Sequence, residues 1–106
     1  MIKDNEILDS SRLKLETIKD LENFLRKFFK NEKVGIYLFG SRARGDNAPF
    51  SDVDIGFIAD KDISDKLIML KEILEESNFP YKVDLVDLSS SRELLKVVLR
   101  EGKKWL

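Results

Sequence analysis

Gly40 and Ser41 close an apolar run, ten residues follow, and then Asp52 and Asp54 stand with one residue between them. Each half of this stretch suits a distinct piece of chemistry. A strand that breaks at a glycine and restarts as a helix presents free backbone N–H groups, and with the positive end of the helix dipole these suit an anionic phosphate. Gly40 lets the backbone approach closely because no Cβ intervenes, and the Ser41 hydroxyl can donate to a phosphate oxygen. Arg42 and Arg44 can clamp a polyphosphate tail, since guanidinium grips such oxygens in pairs. A solvated surface role is the plain alternative for both arginines. In a strand, residues two apart share a face, so Asp52 and Asp54 project together. Side by side they repel unless a cation lies between them. A magnesium ion, or a pair of them, would remove that conflict and supply Lewis acidity for phosphoryl chemistry. Ser51 is a further candidate contact, either orienting Asp52 or simply turning the chain. A bare Asp-X-Asp also describes a solvated strand face, so the pair alone does not settle the matter.

A later run, Lys82-Val83-Asp84-Leu85-Val86-Asp87, supplies two more carboxylates. Strand alternation puts Asp84 and Asp87 on opposite faces, so at most one can join the first pair. Val83 and Leu85 match Val53 and Ile55 as core-facing positions, which places Asp84 with Asp52 and Asp54. Asp87 falls at the strand end, where a turn or capping role is expected. The chain contains no histidine and no cysteine. Any metal ligand or general base must therefore be a carboxylate, which favours magnesium or manganese over zinc. Asp84 is then the candidate to accept a proton from an attacking hydroxyl, directly or while helping to hold the metal.

These residues need elements to place them. Leu15, Ile18, Leu21, Phe24, Leu25, Phe28 and Phe29 recur at helical spacing and predict one amphipathic helix from Ser11 to Lys30. Val34–Phe39 reads as a strand, Ser41 opens a short helix, and Asn47-Ala-Pro-Phe is a turn. Asp52–Ile58 alternates acidic and apolar side chains as a second strand. Ser64 is the expected N-cap of a helix from Asp65 to about Ser77, which Asn78 and Pro80 stop. Tyr81–Leu88 is the third strand. Ser90 and Glu93 form the expected capping box of a last helix that ends near Gly102, leaving Lys103–Leu106 as a tail. The order αβ(α)βαβα predicts an α+β fold, a small mixed sheet flanked by helices in a two-layer sandwich.

The 106 residues fit a single domain spanning 1–106, with residues 1–10 expected to fray. With 19 basic and 20 acidic residues the net charge is −1, so no global field draws the chain to nucleic acid or anionic lipid. No apolar stretch is long enough to span a bilayer, and the N-terminus lacks a signal-peptide core, which together point to the cytoplasm. In the last predicted helix, Leu94, Leu95, Val97, Val98 and Leu99 cover an arc wider than the usual one-sided stripe. Phe28, Phe29 and Trp105 are further aromatic surface that a small domain is pressed to bury. Both features are mild signs of a protein partner, in a homo- or hetero-oligomer.

In the order Gly40-Ser41, a ten-residue gap, Asp52-X-Asp54 and a later strand Asp84, the sequence resembles the minimal nucleotidyltransferases of the DNA polymerase beta superfamily. Val83-Asp84-Leu85-Val86-Asp87-Leu88 and Arg100-Glu101-Gly102-Lys103 resemble the minimal group as well. The resemblance implies a polymerase-beta-like sheet and magnesium-dependent transfer of a nucleoside monophosphate to a hydroxyl. It further implies that Asp52 and Asp54 hold the metal, that Asp84 completes the site and that Gly40 and Ser41 hold the triphosphate tail. Larger relatives carry a further domain that binds the acceptor, and no counterpart of it is expected within these 106 residues. Minimal members pair with small all-helical HEPN proteins in toxin–antitoxin modules, so the resemblance implies an antitoxin that moves AMP from ATP to a tyrosine of a ribonuclease partner. Two alternatives stand beside it: an antitoxin that works by binding alone, and nucleotidylation of a small molecule or an RNA end.

Overall fold

In a computed structural model that describes residues 14–106, the elements run α1 (Ile18–Phe28), β1 (Val34–Phe39), α2 (Ser41–Arg44), β2 (Val53–Ala59), α3 (Ser64–Glu76), β3 (Val83–Asp87), a 3₁₀ turn (Leu88–Ser90), α4 (Arg92–Glu101) and β4 (Lys103–Lys104). The strands form one mixed sheet in the order β3-β2-β1-β4. β1 is antiparallel to β2 and to β4, while β2 and β3 are parallel and joined through α3. This is the α+β arrangement that the element order implies.

The main core lies on one face of the sheet. Ile36, Ile55 and Phe57 point from β1 and β2 into a layer formed by Leu21, Leu25, Phe29 and Leu70, all of them out of contact with water. The rings of Phe29 and Phe57 pack with centroids 5.4 Å apart. The opposite face carries a smaller cover. Gly56 alternates with Ile55 and Phe57 and so faces away from the main core. A Cβ there would run into the Leu88 side chain. Leu88 and Val98 are buried beside it without joining the main cluster, so the 3₁₀ turn and α4 screen part of this second face.

Several boundaries differ from the sequence expectation. The predicted frayed segment 1–10 and the first residues of the predicted Ser11 helix lie outside the described residues. α1 starts only at Ile18, because Thr17 caps it: the Thr17 hydroxyl accepts the Asp20 N–H at 3.0 Å while the Asp20 carboxylate accepts the Thr17 N–H at 3.1 Å. Leu15 is buried without being helical, which is why periodicity extended the helix too far. Ser64 is not an N-cap but the first residue of α3, and its N–H and hydroxyl both donate to Asp62. The cap of α4 is Ser91 rather than Ser90, accepting the Leu94 N–H at 3.3 Å, because Leu88–Ser90 are taken up by the 3₁₀ turn. Lys103–Lys104 is not a tail but a strand against Tyr37 and Leu38, continued by a Trp105 N–H that donates to Ile36 O at 2.7 Å. Phe29 and Trp105, expected as aromatic surface, are buried, and Phe28 packs partly buried against the core.

Candidate active site

Strand β1 ends at Phe39 and is followed by Gly40, whose φ of 76° lies in the region that disfavours side chains. A Cβ at this position would overlap the carboxylate of Asp54. The glycine therefore has two reasons to be there: the turn it makes, and the acidic group pressed against it. Beyond it the chain forms the single turn α2, closed by Gly45 at φ 85° with its N–H donating to Ser41 O at 2.9 Å. No side chain caps the start of α2. The first N–H groups of such a turn have no partner within it and are available to an anion.

Asp52 immediately precedes β2 and is exposed, whereas Asp54 lies within the strand and is half-buried. Buried Val53 and Ile55 fix the alternation and hold Asp54 on the opposite face. Across the parallel ladder Asp54 stands directly opposite Asp84, while Val53 pairs with Val83 and Ile55 with Leu85. The approach of Asp54 to Asp84 is thus built into the strand register, while Asp52 lies just outside the paired residues. Partial burial, then the charges of Asp84 and Asp52, push the Asp54 carboxyl above its ordinary value, with Arg44 acting in the opposite sense. Asp87 leaves this group, as expected of its place at the strand end, and accepts the Ser89 N–H at 3.0 Å.

The arginines part company. Arg42 is committed to its own loop: Nε and Nη2 donate to Ser51 O at 3.0 and 2.8 Å, and Nη2 reaches Pro49 O at 3.3 Å. Its guanidinium also lies over the Tyr81 ring, 4.3 Å from the centroid. Arg44 stays closer to the carboxylates and makes ion pairs with Asp46 at 3.2 Å and Glu101 at 3.9 Å. Ser51 contributes its backbone, accepting from Arg42 and donating to Ala48 O at 3.2 Å. Tyr81 was invisible as a site-shaping residue in the sequence, since an aromatic ahead of a strand reads as core. Its only signal is its position three residues before Asp84.

The donor set is all oxygen and anionic, which fits magnesium or manganese. Among the described residues, no three acidic side chains are gathered tightly enough to enclose a metal ion as they stand. Two adjoining carboxylates under mutual repulsion, next to a glycine turn with free N–H groups, can receive a cation that arrives with a polyphosphate. That combination is the chemistry of phosphoryl transfer.

Residues 19–105 match the family described as polymerase beta, nucleotidyltransferase. A probable protein adenylyltransferase MntA of Haemophilus influenzae is 34% identical over 68 residues, which make up 62% of this chain and 59% of that protein. The alignment thus spans less than two thirds of that relative. Among solved structures, a toxin–antitoxin with AMP-PNP is 32% identical with a TM-score of 0.59, over 80% of this chain and 72% of the other. A tri-AMPylated Shewanella oneidensis HEPN toxin in complex with its MNT antitoxin matches at 28% identity and a TM-score of 0.55, over 80% and 68% of the respective chains.

Proposed function

This chain belongs to the polymerase beta nucleotidyltransferase family, and we propose that it transfers AMP from ATP to a hydroxyl of a helical HEPN-type ribonuclease toxin, for which it serves as antitoxin. The observation that carries the reading is the cross-strand apposition of Asp54 and Asp84 with Gly40 pressed against Asp54. The related complexes, with an AMPylated HEPN toxin and with an ATP analogue, support the choice of acceptor and donor. A tyrosine is the acceptor proposed, and the cytoplasm, where ATP and magnesium are plentiful, is the setting.

Asp52 and Asp54 would hold magnesium, or manganese in its place, with Asp84 completing the set. When bound, the cation supplies Lewis acidity at the α-phosphate. Gly40 and the Ser41 N–H and hydroxyl receive the triphosphate tail, and Arg44 lends positive charge beside it. The acceptor oxygen bonds to the α-phosphorus while the bond from that phosphorus to the bridging oxygen of the β-phosphate breaks and pyrophosphate leaves. Asp84 takes the proton from the acceptor hydroxyl.

Incubation with α-labelled ATP, magnesium and the helical partner tests the proposal. Label should pass to the partner with the native chain and should fall at least about a hundredfold with Asp52→Ala or Asp54→Ala. Undiminished label with either variant would refute the assignment.

A second reading, neutralisation by binding alone, is favoured by one specific observation. Of the five apolar residues on α4, only Val98 is fully buried, while Leu99 is 56% exposed and Leu94, Leu95 and Val97 are half-covered. If occlusion suffices, Asp84→Ala will still silence the toxin and Leu95→Glu will not.

A further inference from the structure

We propose that Arg42 is a positioning residue that ties the loop carrying Asp52 to the strand carrying Asp84, and is not a ligand of the triphosphate. The inference rests on the catalytic reading above and deepens it.

The guanidinium joins two segments that the chain separates by thirty residues. On one side it donates to the carbonyls of Pro49 and Ser51, so that Asp52 follows directly on a clamped peptide. On the other side it lies over the Tyr81 ring, three residues before Asp84. Tyr81 is itself anchored: its ring packs edge-on to Phe79, with centroids 5.6 Å apart, and both rings rest against the core. Between the two segments Val53 N–H donates to Lys82 O at 2.8 Å. Arg42 therefore braces the very corner where β2 and β3 begin and where the carboxylates are spaced.

The chemistry of the side chain explains why arginine suits the position. A planar guanidinium can donate in its plane and stack on its face at the same time, and an ammonium cannot. Two of its three nitrogens are engaged by carbonyl oxygens and its face by a ring, so the paired grip that guanidinium takes on a phosphate would require at least the Pro49 contact to be given up. Asp52 is exposed and sits outside the strand, so its placement depends on that loop more than on the sheet. Groups that orient metal ligands typically change metal affinity by about 10- to 100-fold when removed.

The test is Mn²⁺ binding followed by electron paramagnetic resonance on the purified chain, with binding of inorganic triphosphate in metal-free buffer as the second measurement. Arg42→Gln and Tyr81→Leu should each weaken Mn²⁺ binding about tenfold, the double variant no further than either single one, and triphosphate binding should be unchanged. Tyr81→Phe keeps the ring face and should restore Mn²⁺ binding to the native value. Loss of triphosphate binding in Arg42→Gln, with Tyr81→Leu behaving as native, would overturn the proposal and make Arg42 a phosphate ligand. Native Mn²⁺ affinity in Arg42→Gln would overturn it too, while leaving the catalytic reading intact. If the native chain and Asp54→Asn bind Mn²⁺ alike, with inorganic triphosphate present as well as without it, the catalytic reading fails instead. The brace is then decided by hydrogen exchange at Val53 N–H, which should quicken about tenfold in Arg42→Gln; an unchanged rate rejects it.

Discussion

Asp54 is where burial, charge and backbone geometry meet. Its carboxyl is raised first by partial burial and then by Asp84 and Asp52, so the ionised form is less favourable in the folded chain than in the unfolded one. The stability it contributes is therefore full below about pH 4, where the unfolded carboxyl titrates, and is lost as pH rises through the elevated folded value. In metal-free buffer at pH 7, Asp54→Asn should raise Tm by about 1–3 °C, and the gain should disappear below about pH 4. Added Mg²⁺ should raise the Tm of the native chain and leave that of Asp54→Asn unmoved. A gain independent of pH in thermal melts would show that charge at Asp54 is not the cause. Gly40 makes the complementary case. Gly40→Ala forces a side chain into a positive φ and into the Asp54 carboxylate. It should destabilise the fold by about 1–3 kcal/mol in urea titrations and reduce AMP transfer at least about tenfold.

Among the elements, the C-terminal strand has consequences that its length of two residues hides. Its hydrogen bonds to β1 are extended by Trp105, which is buried and whose carbonyl accepts from Arg26 at 3.0 Å. Trp105→Ala should destabilise the chain by about 3–5 kcal/mol, as measured by chemical denaturation. None of this was legible in Lys103-Lys104-Trp105-Leu106, because two lysines on an edge strand carry no apolar alternation. β1, in contrast, was readable to the residue, since Val34, Ile36 and Leu38 alternate into the core and Gly40 ends the run. The apposition of Asp54 and Asp84 followed from matching the apolar residues that flank them, a pattern the parallel register preserves. Helix starts were harder, because Ser64, Ser90 and Ser91 offer equally good hydroxyls. Which one caps is decided by neighbours: Asp62 binds Ser64, and the 3₁₀ turn takes Ser90. The arginine assignments divided for a similar reason. Spacing put both near a phosphate, while the contacts of Arg42 with Tyr81 and the Ser51 carbonyl depend on a loop path that spacing does not reveal.

For the whole molecule, one face of the sheet is filled by α1 and α3, and the other is shared between the carboxylates and α4. Glu101 at the end of α4 pairs with Arg44, so the C-terminal end of that helix lies close to the candidate active site. Leu99→Glu should leave Tm within about 1 °C of native, since Leu99 is largely exposed, yet abolish co-elution with the helical partner. Val98→Glu, placed in the buried row, should instead unfold the chain, and circular dichroism separates the two outcomes. The central claim is that Asp52, Asp54 and Asp84 serve one cation beside a triphosphate. Its most direct test is a crystal structure with Mn²⁺ and a non-hydrolysable ATP analogue, using the anomalous signal of the metal. The account predicts an anomalous peak shared by Asp52 and Asp54, with the triphosphate on Gly40 and Ser41 and Asp84 turned toward them. A nucleotide bound elsewhere, or a peak touching none of these carboxylates, would contradict it.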